Sequence, residues 1–181
     1  MSEFTWSIRG RCYKLGDNVP HPGGVIPAYF VTARETDPKV LIPHLFEETD
    51  PGFSTRCRPG DIIVAGRNFG MGSKACGYIA MQALGLGLLC ESMSVQAHRE
   101  ALCTGLRLLS PCTGISALCE NGDDIETDFQ SGHFVNHTRD VEYDFPPIPE
   151  ELQDLIARGG NIGWLAHWWR TTGSTAEKAE S

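Results

Sequence analysis

The chain has 181 residues, a formal net charge of −8 and 41% hydrophobic residues, which suits a globular protein with one core. Its acidity disfavours general binding to nucleic acid or to an anionic membrane, because both would repel the surface. No stretch approaches the ~18 apolar residues of a membrane span, and the first residues lack the apolar region of a secretory signal. The seven cysteines contain no C-x-x-C pair, so we expect reduced thiols in a cytoplasmic compartment.

The first third of the chain predicts a strand, a long loop and a helix. Residues 4–13 alternate between apolar and polar side chains, as a half-buried strand does. Residues 16–24 are dense in turn formers and predict a loop, after which residues 25–30 continue as an extended apolar segment. Asp37 precedes a proline and predicts the start of a helix over residues 39–48, which an internal proline weakens.

The middle of the chain predicts a βαβ unit. Residues 61–65 form a short β-branched run between glycines, which is typical of a buried strand. A glycine-rich loop follows at residues 66–72, then a helix over about residues 73–84 and a second strand over residues 86–90. Strands joined by such a helix are normally parallel, so we expect a parallel sheet at the centre of the fold.

The remaining residues predict two more helices and a strand-rich flank. In chain order, the segments are a helix over 94–105, short apolar runs at 106–109 and 114–118, hairpin strands within 124–129, 132–137 and 141–145, and a helix over 149–158. The predicted fold class is therefore α/β, with a central βαβ unit and strand-rich flanks. We expect a single domain over residues 1–170 and a disordered, polar tail over residues 171–181.

The glycine loop and the helix after it predict an anion-binding site. The first N–H groups of a helix have no partner within the helix, and the helix dipole favours negative charge at that end. Ser73 stands where it would either cap the helix or carry out chemistry in front of it. The local pattern leaves both roles open.

Two nucleotide-binding motifs compete for this loop. The Walker A motif is excluded, because the order here is Gly-Ser-Lys and not Gly-Lys followed by Ser or Thr. Gly70, Gly72 and Ala75 match a dinucleotide fingerprint, and Glu91 follows at about the required distance. Three residues separate Gly66 from Gly70, however, whereas the first glycine of the fingerprint directly follows its strand. A dinucleotide site is therefore the weaker alternative.

Several motifs together resemble a known family. They are GDNV at 16–19, IPA at 26–28, RPGDIIVAGRNFGMGS at 58–73, the segment 92–106 and the late pair of Gly-Asp strands. In this combination the chain resembles the small subunit of 3-isopropylmalate dehydratase, which is the mobile, swivelling β/β/α domain of the aconitase superfamily. The resemblance extends from about residue 10 to about residue 160, and the 58–73 motif is its most specific part.

The resemblance implies the small subunit of a two-subunit hydro-lyase that acts on a hydroxy-carboxylate or unsaturated carboxylate. It implies that a separate large subunit holds a [4Fe-4S] cluster, so we expect no metal or cofactor on this chain alone. It assigns Ser73 as the base that removes the proton next to a carboxylate. The residues then expected to bind substrate are Lys74, Gly72, Arg67, His21 and Met71, with backbone N–H groups from 72 to 74 on its anionic part.

The chain departs from the family pattern at positions that handle substrate. Ala75 stands where the family has an arginine that grips a carboxylate, and Lys74 can replace the charge of that arginine but not its geometry. Residues 20–24, which include His21, replace an acidic loop, and Met71 stands where a small thiol is usual. Because the serine and the glycines are intact, these changes predict an altered substrate. The alternative is a non-catalytic paralogue that binds and regulates a large subunit.

Other polar and aromatic side chains carry weaker signals. Four histidines without ligand-like spacing are expected on the surface: His44, His133, His137 and His167. Cys76 is either a packing residue or a thiol activated by the helix terminus, and packing is favoured. Trp164, Trp168 and Trp169 fit either a partner surface or the packing of a terminal helix.

Overall fold

A computed structural model describes residues 4–72 and 74–173, and it builds them around one sheet of seven strands. In chain order the strands are Ser7–Lys14 (β1), Ile62–Ala65 (β2), Gly87–Cys90 (β3), Arg107–Leu109 (β4), Asp124–Asp128 (β5), His133–Asn136 (β6) and Val141–Asp144 (β7). Their order across the sheet is β4-β3-β2-β1-β5-β6-β7.

The helices are mostly short and connect these strands. They are Ala28–Ala33 (α1), Pro38–Leu41 (α2), Phe53–Arg56 (α3), Cys76–Ala83 (α4), Val95–Cys103 (α5), Ile115–Leu118 (α6), Glu150–Ala157 (α7) and Gly160–Trp168 (α8). A 3₁₀ turn, Ile42–His44, follows α2, and a π-helical turn, Trp169–Gly173, follows α8.

The sheet has a parallel half and an antiparallel half, as the sequence predicted. Strands β1 to β4 are parallel neighbours, and every residue of β2 and β3 is buried. Continuous apolar runs suit this position, because a parallel sheet is covered on both faces. The βαβ unit formed by β2, α4 and β3 is confirmed. On the other side of β1, strands β5, β6 and β7 are antiparallel, which confirms the predicted hairpin strands.

Two predictions for the first third of the chain were wrong. The segment 25–30 is extended only as far as Pro27, which has a φ of −54° and precedes α1. A proline is compatible with the start of a helix because its φ is already near the helical value. The helix predicted over 39–48 breaks into α2 and the 3₁₀ turn, since Pro43 lacks an N–H and Phe46 adopts a left-handed φ of +57°.

The ends of the later helices refine the predictions. Helix α4 begins at Cys76, not at residue 73, and its N-cap position is held by Ala75, which makes no side-chain cap. Helix α5 begins as predicted, with Ser94 accepting a hydrogen bond from the N–H of Ala97. Helix α7 ends at Ala157, close to the end predicted at residue 158, but it is not the last helix, because Gly159 occupies the N-cap of α8 with a φ of +82°.

The C-terminal tail predicted from residue 171 lies mainly outside the described residues. Residues 171–173 complete the π-helical turn, and residues 174–181 are not described. Among residues 4–72 and 74–173, no helix combines the length and the apolar character that crossing a membrane would need.

Candidate active site

The glycine loop lies beside a second loop that leaves the sheet at the same edge. Strands β1 and β2 are parallel neighbours, so the chain leaves both at their shared C-terminal edge. The Asp17 carboxylate accepts a hydrogen bond of 2.7 Å from the N–H of Arg67, and the N–H of Asn18 donates to the Arg67 carbonyl over 2.7 Å. The side-chain amide of Asn68 donates to Asn18 Oδ1 over 2.9 Å. The GDNV motif therefore supports the glycine loop.

A third segment, after β3, holds the other side of the loop. The hydroxyl of Ser92 accepts from the N–H of Asn68, and its carbonyl accepts from the N–H of Phe69. The N–H of Gly70 donates to the carbonyl of Val19 over 2.8 Å. With partners on both sides, the loop has a backbone geometry that is set by the surrounding protein.

Two glycines of the loop make room for side chains of the protein itself. A Cβ at Gly66 would lie 1.9 Å from Asp17 Oδ1, and one at Gly70 would lie 2.1 Å from the Tyr78 hydroxyl. Gly70 also has a φ of +75°, which disfavours any larger residue. Of the two glycines that suggested a dinucleotide fingerprint, Gly70 is thus explained by internal packing. The sequence did not reveal the contribution of Tyr78, because no local pattern links it to Gly70.

His21 is completely buried against the start of α4. Its ring Nε2 accepts a hydrogen bond of 3.1 Å from the backbone N–H of Gly77, and the backbone N–H of His21 donates to the carbonyl of Met71 over 2.8 Å. The ring packs edge-on against Tyr78 at 4.7 Å between centroids. Burial lowers the pKa of His21 to about 4, so the ring is neutral at pH 7. The predicted contact of His21 with substrate stays a prediction.

Two cations project from the loop region. The side chain of Arg67 is 73% exposed, and its Nε lies 3.5 Å from the carboxylate of Glu91. Lys74 is exposed and forms no ion pair with the side chains that the structure describes. Both are therefore available to an anionic ligand, although Glu91 competes for Arg67.

Two of the remaining predicted site residues, Met71 and Gly72, belong to the same loop. Met71 is 40% exposed and forms a β-bridge with Pro20. Gly72 is exposed, with a φ of +73°, and Ser73 lies outside the described residues. Ala75 lines a groove of about 550 Å³ that extends to Ile162 on α8. Ala75, the N-cap residue of α4, thus borders this groove.

Comparison with known proteins identifies the family. No protein-family model matches the sequence. The small subunit of 3-isopropylmalate dehydratase from Thermodesulfovibrio yellowstonii is 37% identical over 159 residues, which cover 87% of this chain and 92% of that protein. The chain belongs to the family of 3-isopropylmalate dehydratase small subunits. A 2,3-dimethylmalate dehydratase small subunit from Eubacterium barkeri is 35% identical over 159 residues, covering 87% of this chain and 95% of that one.

A solved structure agrees with this assignment. The crystal structure of 3-isopropylmalate dehydratase from Methanocaldococcus jannaschii matches with a TM-score of 0.82 and 26% identity, covering 93% of this chain and 99% of that chain. The resemblance inferred from the motifs and the predicted fold class are both confirmed. Because the dehydratase family is shown over most of the chain, the dinucleotide-binding alternative is no longer supported.

Outside the loop, three histidines of the dehydratase domain have acidic partners. His44, His133 and His137 lie at the surface and pair with Glu47, Asp144 and Glu126 respectively. No group of three or more His, Cys, Asp or Glu side chains in the described part of the chain is arranged to hold a metal ion. Cys76 is buried, and burial raises the pKa of its thiol, as expected for a packing residue.

The aromatic C-terminus is exposed on α8 and the turn after it. The exposed fractions of Trp164, Trp168 and Trp169 are 40%, 45% and 69%. The core therefore leaves a large part of each ring uncovered, so packing of a terminal helix on the sheet explains this cluster only in part.

Proposed function

We propose that the chain is the small subunit of a two-subunit hydro-lyase that adds or removes water next to a carboxylate of an alkyl-substituted malate. Family membership carries this proposal. Relatives of similar identity are named for 3-isopropylmalate and for 2,3-dimethylmalate, which are both malates with alkyl branches. The family thus includes more than one substrate, which supports an altered substrate as the explanation of Ala75 and Lys74.

Ser73 is the proposed base. A serine hydroxyl removes a proton from carbon only when it is ionised, so its surroundings must stabilise an alkoxide. Lys74 supplies a positive charge next to Ser73 in the chain, and α4 begins three residues after Ser73, at Cys76. Both features favour negative charge in this region.

The substrate anion is proposed to bind across the loop. Backbone N–H groups from Gly72 to Lys74 would bind one carboxylate, with the ammonium of Lys74 adding charge. The exposed guanidinium of Arg67 would bind a second carboxylate, and the exposed side chain of Met71 would contact the alkyl branch. The exposure of these side chains and the anchored backbone of the loop support the arrangement.

The iron–sulfur cluster is proposed to reside in the large subunit. The seven cysteines of this chain are free, and six of them are buried. Burial raises the pKa of several thiols, to about 12 for Cys90, which opposes the thiolate form that a cluster requires. A cluster held by the partner would act as a Lewis acid toward the hydroxyl that leaves as water. The proposed reducing, cytoplasmic compartment rests on the scattered cysteines of the sequence, which contain no C-x-x-C pair.

The experiment that tests this function measures both the assembly of the chain with a partner and the turnover of the complex. The tagged chain is purified anaerobically from its host, the iron and acid-labile sulfide of any partner are assayed, and dehydration of alkyl-substituted malates is followed by the absorbance of the new double bond. Ser73→Ala should abolish turnover and leave assembly unchanged. Ser131→Ala, in the turn between β5 and β6, is the matched control and should keep both.

The alternative is a non-catalytic paralogue, and two results would favour it. One is an iron-free partner. The other is a partner with an iron–sulfur cluster whose turnover is the same with wild-type chain and with Ser73→Ala.

A further inference from the structure

The strongest unassigned feature of the molecule is the position of His21 across the segment that contains Ser73. Its backbone N–H donates to the carbonyl of Met71, two residues before Ser73, over 2.8 Å. Its ring Nε2 accepts from the N–H of Gly77, four residues after Ser73, over 3.1 Å. One buried residue therefore holds both flanks of the proposed catalytic serine.

The ring also completes the start of α4. An N-cap side chain normally accepts a hydrogen bond from the second or third N–H of the helix, but here the N-cap is Ala75, which has no acceptor. Gly77 is the second residue of α4, and His21 Nε2 accepts from its N–H. A distant histidine thus takes the place of the missing local cap.

Packing explains why the contact between residues 21 and 77 combines an aromatic ring with a glycine. A Cβ at Gly77 would lie 3.0 Å from His21 Cε1 and 2.5 Å from Val25 Cγ1, so only glycine lets the ring approach the helix. A Cβ at Gly72 would make only an ordinary contact with Pro22 Cδ, at 3.4 Å. The tight packing is therefore at Gly77.

We propose that His21 is a positioning residue, which clamps the backbone at Met71 and at Gly77, before and after the proposed base in the chain, and so holds this part of the loop for the substrate. The proposal rests on the proposed function for its catalytic consequence, but the clamp itself can be tested without it. A nitrogen that accepts a hydrogen bond carries no proton, so the neutral ring is the Nδ1–H tautomer. Within the described part of the chain, Nδ1 has no hydrogen-bond partner, so the contact with Gly77 alone assigns the tautomer.

Amide hydrogen exchange on two variants tests the clamp. His21→Gln can place an acceptor near the Nε2 position, whereas His21→Asn places its polar atoms nearer the Nδ1 position and cannot reach Gly77. We expect exchange at Gly77 to be about ten-fold faster in His21→Asn and within about three-fold of wild type in His21→Gln, since roughly one hydrogen bond is lost. The amides of β2 serve as the internal reference. Equal exchange at Gly77 in wild type and His21→Asn would overturn the clamp.

A measurement on the wild-type protein tests the clamp even if the His21 variants fail to fold. Long-range ¹⁵N–¹H correlation spectra assign the tautomer of His21, and we expect an unprotonated Nε2. A protonated Nε2 at pH 7 could not accept from Gly77 and would overturn the proposal.

The catalytic consequence is measured on the enzyme assembled with its large subunit. His21→Asn should lower kcat by about ten-fold or more and change KM by less than about three-fold, because misplacement of a base acts mainly on the transition state. His21→Gln should restore kcat. A change confined to KM would overturn the positioning role. Turnover that survives Ser73→Ala would instead overturn the proposed function, and the exchange comparison would still decide the clamp.

Discussion

The Asp17 carboxylate accepts a hydrogen bond of 2.7 Å from the backbone N–H of Arg67 and also fills the space that a side chain at Gly66 would occupy. The two roles depend on each other. The carboxylate can reach the N–H only because residue 66 has no Cβ, and the loop keeps its course because the carboxylate is there. The glycine and the aspartate are therefore one structural unit, although they lie in different motifs.

This unit predicts non-additive effects on stability. Asp17→Ala should lower the free energy of unfolding by about 1–3 kcal/mol, because it leaves the Arg67 N–H without its partner. Gly66→Ala should have a cost of similar size, through its clash with the carboxylate. In the Asp17→Ala background, Gly66→Ala should cost at least about 1 kcal/mol less than it does alone. Urea unfolding of the four proteins measures this cycle.

The matched control for the cycle is Gly16→Ala. A Cβ at Gly16 would have no neighbour within 4 Å, so the change should stay within about 0.5 kcal/mol. If the costs of Asp17→Ala and Gly66→Ala simply add, the two residues do not form the unit described.

Lys74 should determine the affinity for the anionic substrate. Lys74→Met removes an exposed charge that has no ion-pair partner among the described residues, so we expect KM to rise about ten-fold with little change in stability. Lys74→Arg should keep KM within about three-fold. Steady-state kinetics of the assembled enzyme give both values, and Lys39→Met, at another exposed lysine, is the control. An unchanged KM in Lys74→Met would remove Lys74 from the substrate site.

Glu91 should compete with substrate for Arg67. Their separation of 3.5 Å and the 73% exposure of Arg67 describe a loose ion pair, in which the Glu91 side chain is only 16% exposed, so Glu91→Gln should change the free energy of unfolding by about 1 kcal/mol. Freed from this partner, the guanidinium should bind carboxylate better, and KM should fall by roughly two- to five-fold. A rise in KM would show instead that Glu91 holds Arg67 in its binding position.

The burial of His21 predicts a loss of stability at mildly acidic pH. Burial lowers its pKa from 6.5 to about 4, so between these values the unfolded chain binds a proton that the folded chain does not. The contribution of neutral His21 to the free energy of unfolding is complete above pH 6.5 and is lost as the pH falls to about 4. The total loss is about 3 kcal/mol.

The comparison that isolates this effect uses His21→Gln, which cannot titrate. Urea unfolding between pH 4 and pH 7 should show the difference in stability between wild type and His21→Gln shifting in favour of the variant as the pH falls. A difference that is independent of pH would mean that His21 is not held in its neutral form.

Much of the fold could be predicted, because its strongest signals are local. The continuous apolar run of β2 and the alternation in β5 each depend on neighbours a few residues away, and the structure confirms both. Ser94, as a cap at the start of α5, is equally local. The family could be predicted because the motif at residues 58–73 is long and specific.

The candidate site could be predicted only in part. Its loop and its cations were found from the sequence, and the proposed roles of Ser73, Lys74 and Arg67 stay predictions. The burial of His21 could not be foreseen, since a histidine between two prolines in a loop is typical of an exposed position. The break in the helix predicted over residues 39–48 also depends on a non-local contact, the hydrogen bond from the N–H of Phe46 to the carbonyl of Val25.

The sequence by itself determined the secondary structure at the centre of the sheet, the glycine loop and the family, because periodicity and motif are properties of neighbouring residues. The tertiary structure alone decided how Asp17 meets Arg67 and how His21 meets Gly77, pairs that lie 50 and 56 positions apart. The physical reason is the parallel pairing of β1 with β2, which makes the chain leave both strands at the same edge of the sheet. At that edge the two loops lie side by side and form hydrogen bonds with each other.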